Sequence, residues 1–171
     1  MDNIEVKKGL NNNVLIADHP TFGEVILIGK GIGFNRKKGD RLEEGQAEKM
    51  FVLKDEKEQA NYIKLLPFVE NELHEAIISS TELIKKRTDS QLNEHIHVAL
   101  TDHLMFAVNR IAKGMEFKNP FLVETKTLYP TEFEIAKEVV ELIKEKSGIE
   151  LPDGEIGFVA LHIHSAVMNR N

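Results

Sequence analysis

The sequence predicts an α+β protein: a small antiparallel β-sheet over residues 1–58, followed by an all-α helical bundle over residues 62–171. Three observations carry this. Ahead of residue 55 the apolar residues fall in short β-branched runs separated by Gly and Asn clusters, the pattern of strands and turns. From Asp55 onward they recur at helical spacing, with breaks at Pro67, Asn119-Pro120, Pro130 and Leu151-Pro152-Asp153-Gly154. The charge changes at the same join: residues 1–41 hold seven Lys/Arg against five Asp/Glu, and residues 61–171 hold twelve against seventeen.

In order along the chain, Val14–Ile16 and Val25–Ile28 predict an antiparallel hairpin closed by Asp18-His19-Pro20-Thr21-Phe22-Gly23, with residues 4–7 extending the first strand. A third strand is expected at residues 32–34, after the Gly29-Lys30-Gly31 turn, and a fourth at residues 50–53. So small a sheet is expected to bury one face and to be marginal alone, so that pairing with a second copy is a natural remedy. Helices are expected at 56–66, 69–87, 91–113, 121–128, 131–147 and 154–168. Pro130 suits a helix start, Gly114 and Gly148 suit helix ends, and Asp153 suits an N-cap.

The bulk numbers exclude several classes. With no cysteine among 171 residues, thiol catalysis, zinc ribbons and disulfides are out, and a reducing cytoplasm is the expected location. The start, Met1-Asp2-Asn3-Ile4-Glu5, lacks the basic and apolar pattern of a secretory signal, and no run reaches the roughly 18 apolar residues of a membrane span. A net charge of -6 disfavours non-specific binding to nucleic acid, so any such contact belongs to the basic head and depends on local shape and stacking.

Gly29-x-Gly31-x-Gly33 lacks the spacing and the following helix of a dinucleotide-binding loop. Two readings remain: a glycine-bent turn, or a surface where RNA approaches the backbone, Phe34 stacks on a base, and Lys30, Arg36 and Lys37 meet phosphates. Asn11-Asn12-Asn13 reads either as turn formers or as amides suited to base edges.

Seven residues of helix turn through about 700°. Ile96, His103 and Arg110 therefore share one stripe, and Glu155 and His162 share another. Each histidine sits on a face that is to be buried or to meet a partner, and is either a core histidine or an acceptor of charge such as a phosphoryl group. The pairs His95-x-His97 and His162-x-His164 invite a metal-dependent hydrolase, but on a helix such pairs diverge by about 200° and cannot chelate. A plain protein-interaction module is the third reading.

Taken together, the motifs resemble the BglG/SacY-type transcriptional antiterminators of sugar operons, in particular the glucose-operon branch. In the head the resemblance rests on Lys8, Asn11-Asn12-Asn13-Val14, Gly29-Lys30-Gly31-Ile32-Gly33-Phe34 and Lys49-Met50-Phe51. In the body it rests on Leu92-Asn93-Glu94-His95-Ile96, Leu100-Thr101-Asp102-His103, Phe106-Ala107 to Arg110, Lys118-Asn119-Pro120, Leu128-Tyr129-Pro130 and residues 155–162.

The resemblance implies a dimerising co-antiterminator RNA-binding domain over 1–58 and a phosphotransferase regulation domain over 62–171. It implies no enzymatic activity, no cofactor, no metal and no membrane insertion. The implied partners are a leader-RNA hairpin, a second copy of the chain, and phosphotransferase proteins, a sugar-permease EII component or HPr. Carried over by motif, the RNA face is Lys8, Asn11, Asn13, Gly29, Lys30, Gly31, Phe34 and Arg36. The phosphorylation sites are His103 and His162, supported by Asp102, Arg110 and Glu155.

Two departures stand out. The family carries two regulation domains, and this chain ends at Asn171 after the first, so a fragment lacking the second is expected. Lys30 stands where many relatives have arginine, and lysine lacks the planar bidentate fork, so base selectivity is expected to shift.

Overall fold

A computed structural model describes residues 3–42, 50–115 and 118–168, with Met168 lacking a described side chain; Lys49 of the third head motif lies outside these residues. The fold divides into two compact units, Met1–Pro67 and Phe68–Asn171.

In the first unit, β1 (Glu5–Asn11), β2 (Val14–His19), β3 (Gly23–Ile28) and β4 (Phe51–Leu53) form one antiparallel sheet in the order β1-β2-β3-β4. The expected hairpin is β2 and β3, paired without a break from Val14↔Ile28 to His19↔Gly23. Residues 4–7 do not lengthen β2. They open the separate strand β1, which turns back on β2 through Asn12-Asn13 and slips register between Val6 and Lys8 and again between Gly9 and Asn11. Such bulges bend a strand and re-aim its side chains.

Residues 32–34 are not a strand. The Ile32 N–H donates to the Gly29 carbonyl and the Phe34 N–H to that of Gly31, giving consecutive tight turns. The preceding hairpin tip takes up the N–H groups of Gly29, Gly31 and Gly33, which holds the segment as a loop against Asn12 and Asn13 instead of along a strand.

The sheet is buried on both faces, where one was expected. Val25 and Leu27 pack with Ile4, Val6, Leu15, Ala17, Leu42 and Met50, while Ile26 and Ile28, pointing the other way, are equally buried. A continuous apolar run such as Val25-Ile26-Leu27-Ile28 belongs to a strand covered on both sides, whereas one wet face would alternate with polar residues.

Helix α1 (Glu56–Leu65) belongs to this unit. The Asp55 carboxylate accepts from the N–H groups of Lys57 and Glu58 at its start, and the Gln59 amide donates to the Leu53 and Glu24 carbonyls. A short 3₁₀ turn, Leu66–Phe68, ends it.

The second unit comprises α2 (Asn71–Thr88), α3 (His95–Ala112), α4 (Leu122–Leu128), α5 (Pro130–Ser147) and α6 (Gly154–Met168). Leu73, Ile77 and Ile84 of α2, Leu100 and Leu104 of α3, Val139 and Ile143 of α5, and Val159 and Ile163 of α6 meet in one core. Helix α3 begins four residues later than expected, because the Asn93 side-chain oxygen takes the His95 N–H while the Asn93 N–H donates to the Ala166 carbonyl of α6. Pro130 occupies the first turn of α5, and Gly148 closes that helix with φ 77°. Asp153 contributes its backbone carbonyl, which accepts from the Ile156 N–H.

No helix among the described residues is long and apolar enough to cross a membrane.

Candidate nucleic-acid interface and histidine site

The head's candidate face is built around a buried asparagine. Asn13 is 0% exposed; its side-chain oxygen accepts the Gly31 N–H at 2.9 Å and its carbonyl accepts the Gly29 N–H at 2.9 Å. Asn11 stabilises the same corner, its side-chain oxygen accepting the Asn13 N–H at 2.8 Å. The Asn12 carbonyl takes the Gly33 N–H at 2.9 Å. The loop thus lies directly against the hairpin tip, so closely that a Cβ on Gly33 would stand 1.9 Å from the Asn11 carbonyl oxygen.

The consequence is a division of labour within the expected set. Lys8, Lys30, Gly31 and Phe34 are exposed, Phe34 at 63%, and Asn11 and Arg36 are half-buried. Asn13 and Gly29 are buried at the base of the loop. Gly31 has φ 74° and Asn35 φ 56°, the left-handed region that lets the chain reverse around Phe34. Gly33, the third glycine of the motif but not part of the expected RNA face, is the glycine packed tightest against the hairpin tip.

In the body, the two histidine stripes meet. His103 Nε2 lies 2.6 Å from Glu155 Oε2, and the His103 and His162 rings are 5.2 Å apart, with Phe158 against His103 at 5.4 Å. Glu155 is 4% exposed, so its carboxylate is held almost out of water by this one histidine bond. Burial, with the charge of His103 adding to it, pushes the His162 imidazole down to about 4, against the opposing pull of Glu155. His162 is therefore neutral near pH 7, the state in which an imidazole nitrogen is a nucleophile.

The other expected partners, Asp102 and Arg110, lie on α3 with His103. Asp102, one residue before His103 on α3, lines the groove between α2 and α3 with Glu70, Leu73 and Phe106. Arg110 holds the same stripe as His103 two turns on, its guanidinium 5.3 Å from the Phe106 ring centre. A second histidine–carboxylate pair, missed in the sequence, joins α6 to α5: His164 Nδ1 lies 2.8 Å from Glu132 Oε2, its ring stacked at 3.9 Å on Tyr129.

The four histidines of the metal reading do not converge. His97 is buried, His164 pairs with Glu132, and His95 and His162 line one cavity. No group of three or more His, Asp or Glu side chains among the described residues is placed to hold a metal ion.

A CAT RNA binding domain model matches residues 4–60, and a PRD domain model matches residues 79–166. The chain belongs to the antiterminator family that joins these two domains. The fold matches the crystal structure of GlcT CAT-PRDI with a TM-score of 0.92 and 56% identity, over 97% of this chain and 99% of that one. The PtsGHI operon antiterminator of Bacillus subtilis (strain 168) is 57% identical over 165 residues, and the GlcA/glcB genes antiterminator of Staphylococcus carnosus (strain TM300) is 42% identical over 168. Transcription antiterminator LicT of Bacillus subtilis (strain 168) is 40% identical over 170 residues. These alignments take in 96–97% of this chain, which spans 58–60% of the length of each relative. Within the CAT–PRD frame, the asparagine-supported loop falls in the CAT match, and His103, Glu155 and His162 fall in the PRD match.

Proposed function

We propose that this chain is a non-catalytic, cytoplasmic RNA-binding switch that grips a leader-transcript hairpin as a dimer, prevents the overlapping terminator from forming, and serves a sugar operon, with glucose as the sugar. The observation that carries the reading is Phe34, an aromatic ring 63% exposed on a loop that also presents Lys30 and is held rigid from beneath by Asn13. Rigid, exposed aromatic and basic groups bind an unstacked base and its phosphates without an ordering cost. Lys8, Asn11, Gly31 and Arg36 complete the contact face; Asn13 and Gly29 support it.

Control comes from phosphorylation of His103 and His162 by phosphotransferase proteins, an EII component or HPr. A phosphoryl group on His103 Nε2 would displace the buried Glu155 carboxylate and add close to two negative charges beside it, which pushes α3 and α6 apart and disturbs pairing of the two copies. Arrival of the sugar removes the phosphoryl groups, and the two sheets align on one RNA site.

Titration of a leader hairpin tests the head: Phe34→Ala is expected to weaken binding by about 1–3 kcal/mol, the value of a stacked base, and an unchanged Kd removes the stacking role. Mapping the label after incubation with a reconstituted phosphotransferase chain tests the body. Label on His19 or His74 alone defeats the assignment of His103 and His162.

A further inference from the structure

Two imidazole–carboxylate pairs cross between helices of the second unit, and they engage opposite ring nitrogens. In His103 the nitrogen bonded to Glu155 is Nε2, whereas in His164 the nitrogen bonded to Glu132 is Nδ1, at 2.8 Å. The difference decides which nitrogen carries a lone pair. A carboxylate accepts and cannot donate, so Glu132 holds the proton of the neutral ring on Nδ1 and leaves the lone pair on Nε2. No other hydrogen bond to His164 occurs among the described residues, and its Nε2 is not a buried atom lacking a partner, so this nitrogen meets solvent. The ring stacks on Tyr129 with centroids 3.9 Å apart and an interplanar angle of 28°, which fixes its plane. Side-chain exposures of 29% for His164 and 22% for Glu132 place the pair at the surface, partly covered.

We propose that His164 is a phosphoryl-acceptor site in its own right, modified at Nε2, with Glu132 as its positioning residue. The class of donor, a phosphohistidine or phosphocysteine protein, rests on the regulatory reading above; the site itself rests on the dyad. Attack by Nε2 on phosphorus forms an N–P bond, the donor's N–P or S–P bond breaks, and its electron pair leaves with the donor atom. The imidazole keeps its Nδ1 proton and becomes cationic. The Glu132 carboxylate, bonded to that proton, stabilises the charge as it develops. A carboxylate on one ring nitrogen also orients the imidazole and makes the other nitrogen more basic, as it does for histidines that bind metals. His103 differs in this respect, because a phosphoryl group on its Nε2 has to displace Glu155, whereas the bond from His164 to Glu132 survives the reaction. The two sites are also separate in space. His162 and His164 diverge by about 200° around α6, so that His162 stands with His103 on the α3 side and His164 on the α5 side.

Phosphoramidate serves as the probe, since it delivers a phosphoryl group without any partner protein: its N–P bond breaks and the electron pair leaves with ammonia. The full chain is treated, the label is placed by mass spectrometry with backbone cleavage between residues 162 and 164, and ¹⁵N NMR identifies the ring nitrogen that bears phosphorus. The expected result is label on His164 at Nε2. Glu132→Gln keeps an acceptor for the Nδ1 proton but removes the charge, and is expected to slow labelling of His164 several-fold without slowing His103 or His162. Glu132→Asp, which keeps the charge, is expected to recover part of the rate, a rescue that a purely structural role does not predict. Absence of label from His164, with imidazole labelled in the same tube, overturns the site, as does label on Nδ1. An unaltered His164 rate in Glu132→Gln overturns the part given to Glu132. Label on His164 with none on His103 or His162 upholds the site and counts against the assignment of those two, so the two readings fail separately.

Discussion

Replacing Asn13 with alanine removes the oxygen that holds the Gly31 N–H and leaves a small void in a position with no solvent exposure. The loss is roughly 1–2 kcal/mol, one hydrogen bond together with its packing. The larger effect is expected on RNA, because the loop carrying Phe34 loses its support; urea unfolding and hairpin titration on the same protein are expected to show affinity falling by more than the loss of stability explains. Conversely, Lys30→Arg is expected to alter which hairpin sequences bind best more than it alters overall affinity, since the guanidinium adds a planar fork at an already exposed position. Competition between two hairpins differing at one base checks it. At this scale the motif did not say which side chains face outward: Asn11, Asn12 and Asn13 look alike in sequence, and only the partners they find, up to 18 residues away, distinguish the buried one from the exposed one.

Between elements, the bond from His103 to Glu155 ties α3 to α6. His103→Ala leaves a nearly buried carboxylate without that partner and is expected to cost about 2 kcal/mol, while Glu155→Gln keeps a hydrogen-bonding group of the same shape and is expected to cost less than half as much. Paired denaturant melts measure the difference; equal losses would mean the bond carries little. Helix positions were largely readable in the sequence, since Asp55, Pro130 and Gly148 mark ends through local backbone chemistry. The start of α3 was not, because Asn93 competes for the first N–H through its side chain. Nor was the turn at residues 32–34, where the deciding bonds come from the other side of the hairpin. The seven-residue spacing placed His103 and Glu155 each on its own stripe. It could not say that these two stripes face one another across 52 residues of chain, and so did not anticipate the 2.6 Å contact.

For the molecule as a whole, acid is the expected weakness. His74 and His97 are buried, and burial lowers each imidazole to about 4. In the unfolded chain a histidine binds its proton near 6.5. Because the folded values lie below the unfolded one, their contribution is fully present above pH 6.5 and is lost as pH falls toward 4. His162, depressed to about 4 in the same way, adds to the trend. Chemical denaturation at a series of pH values is expected to show stability dropping across this window, ahead of the carboxylates, and His97→Gln is expected to flatten the slope. A pH-independent midpoint between 6.5 and 4.5 would contradict it.

The absence of clearance at Gly33 reaches beyond stability. With the Asn11 oxygen standing where any side chain would begin, no substitution at that glycine fits unless the hairpin tip moves away as well. The two segments are therefore coupled in descent and in engineering alike: transplanting the glycine series onto a different sheet requires carrying the asparagine corner with it, as one cassette.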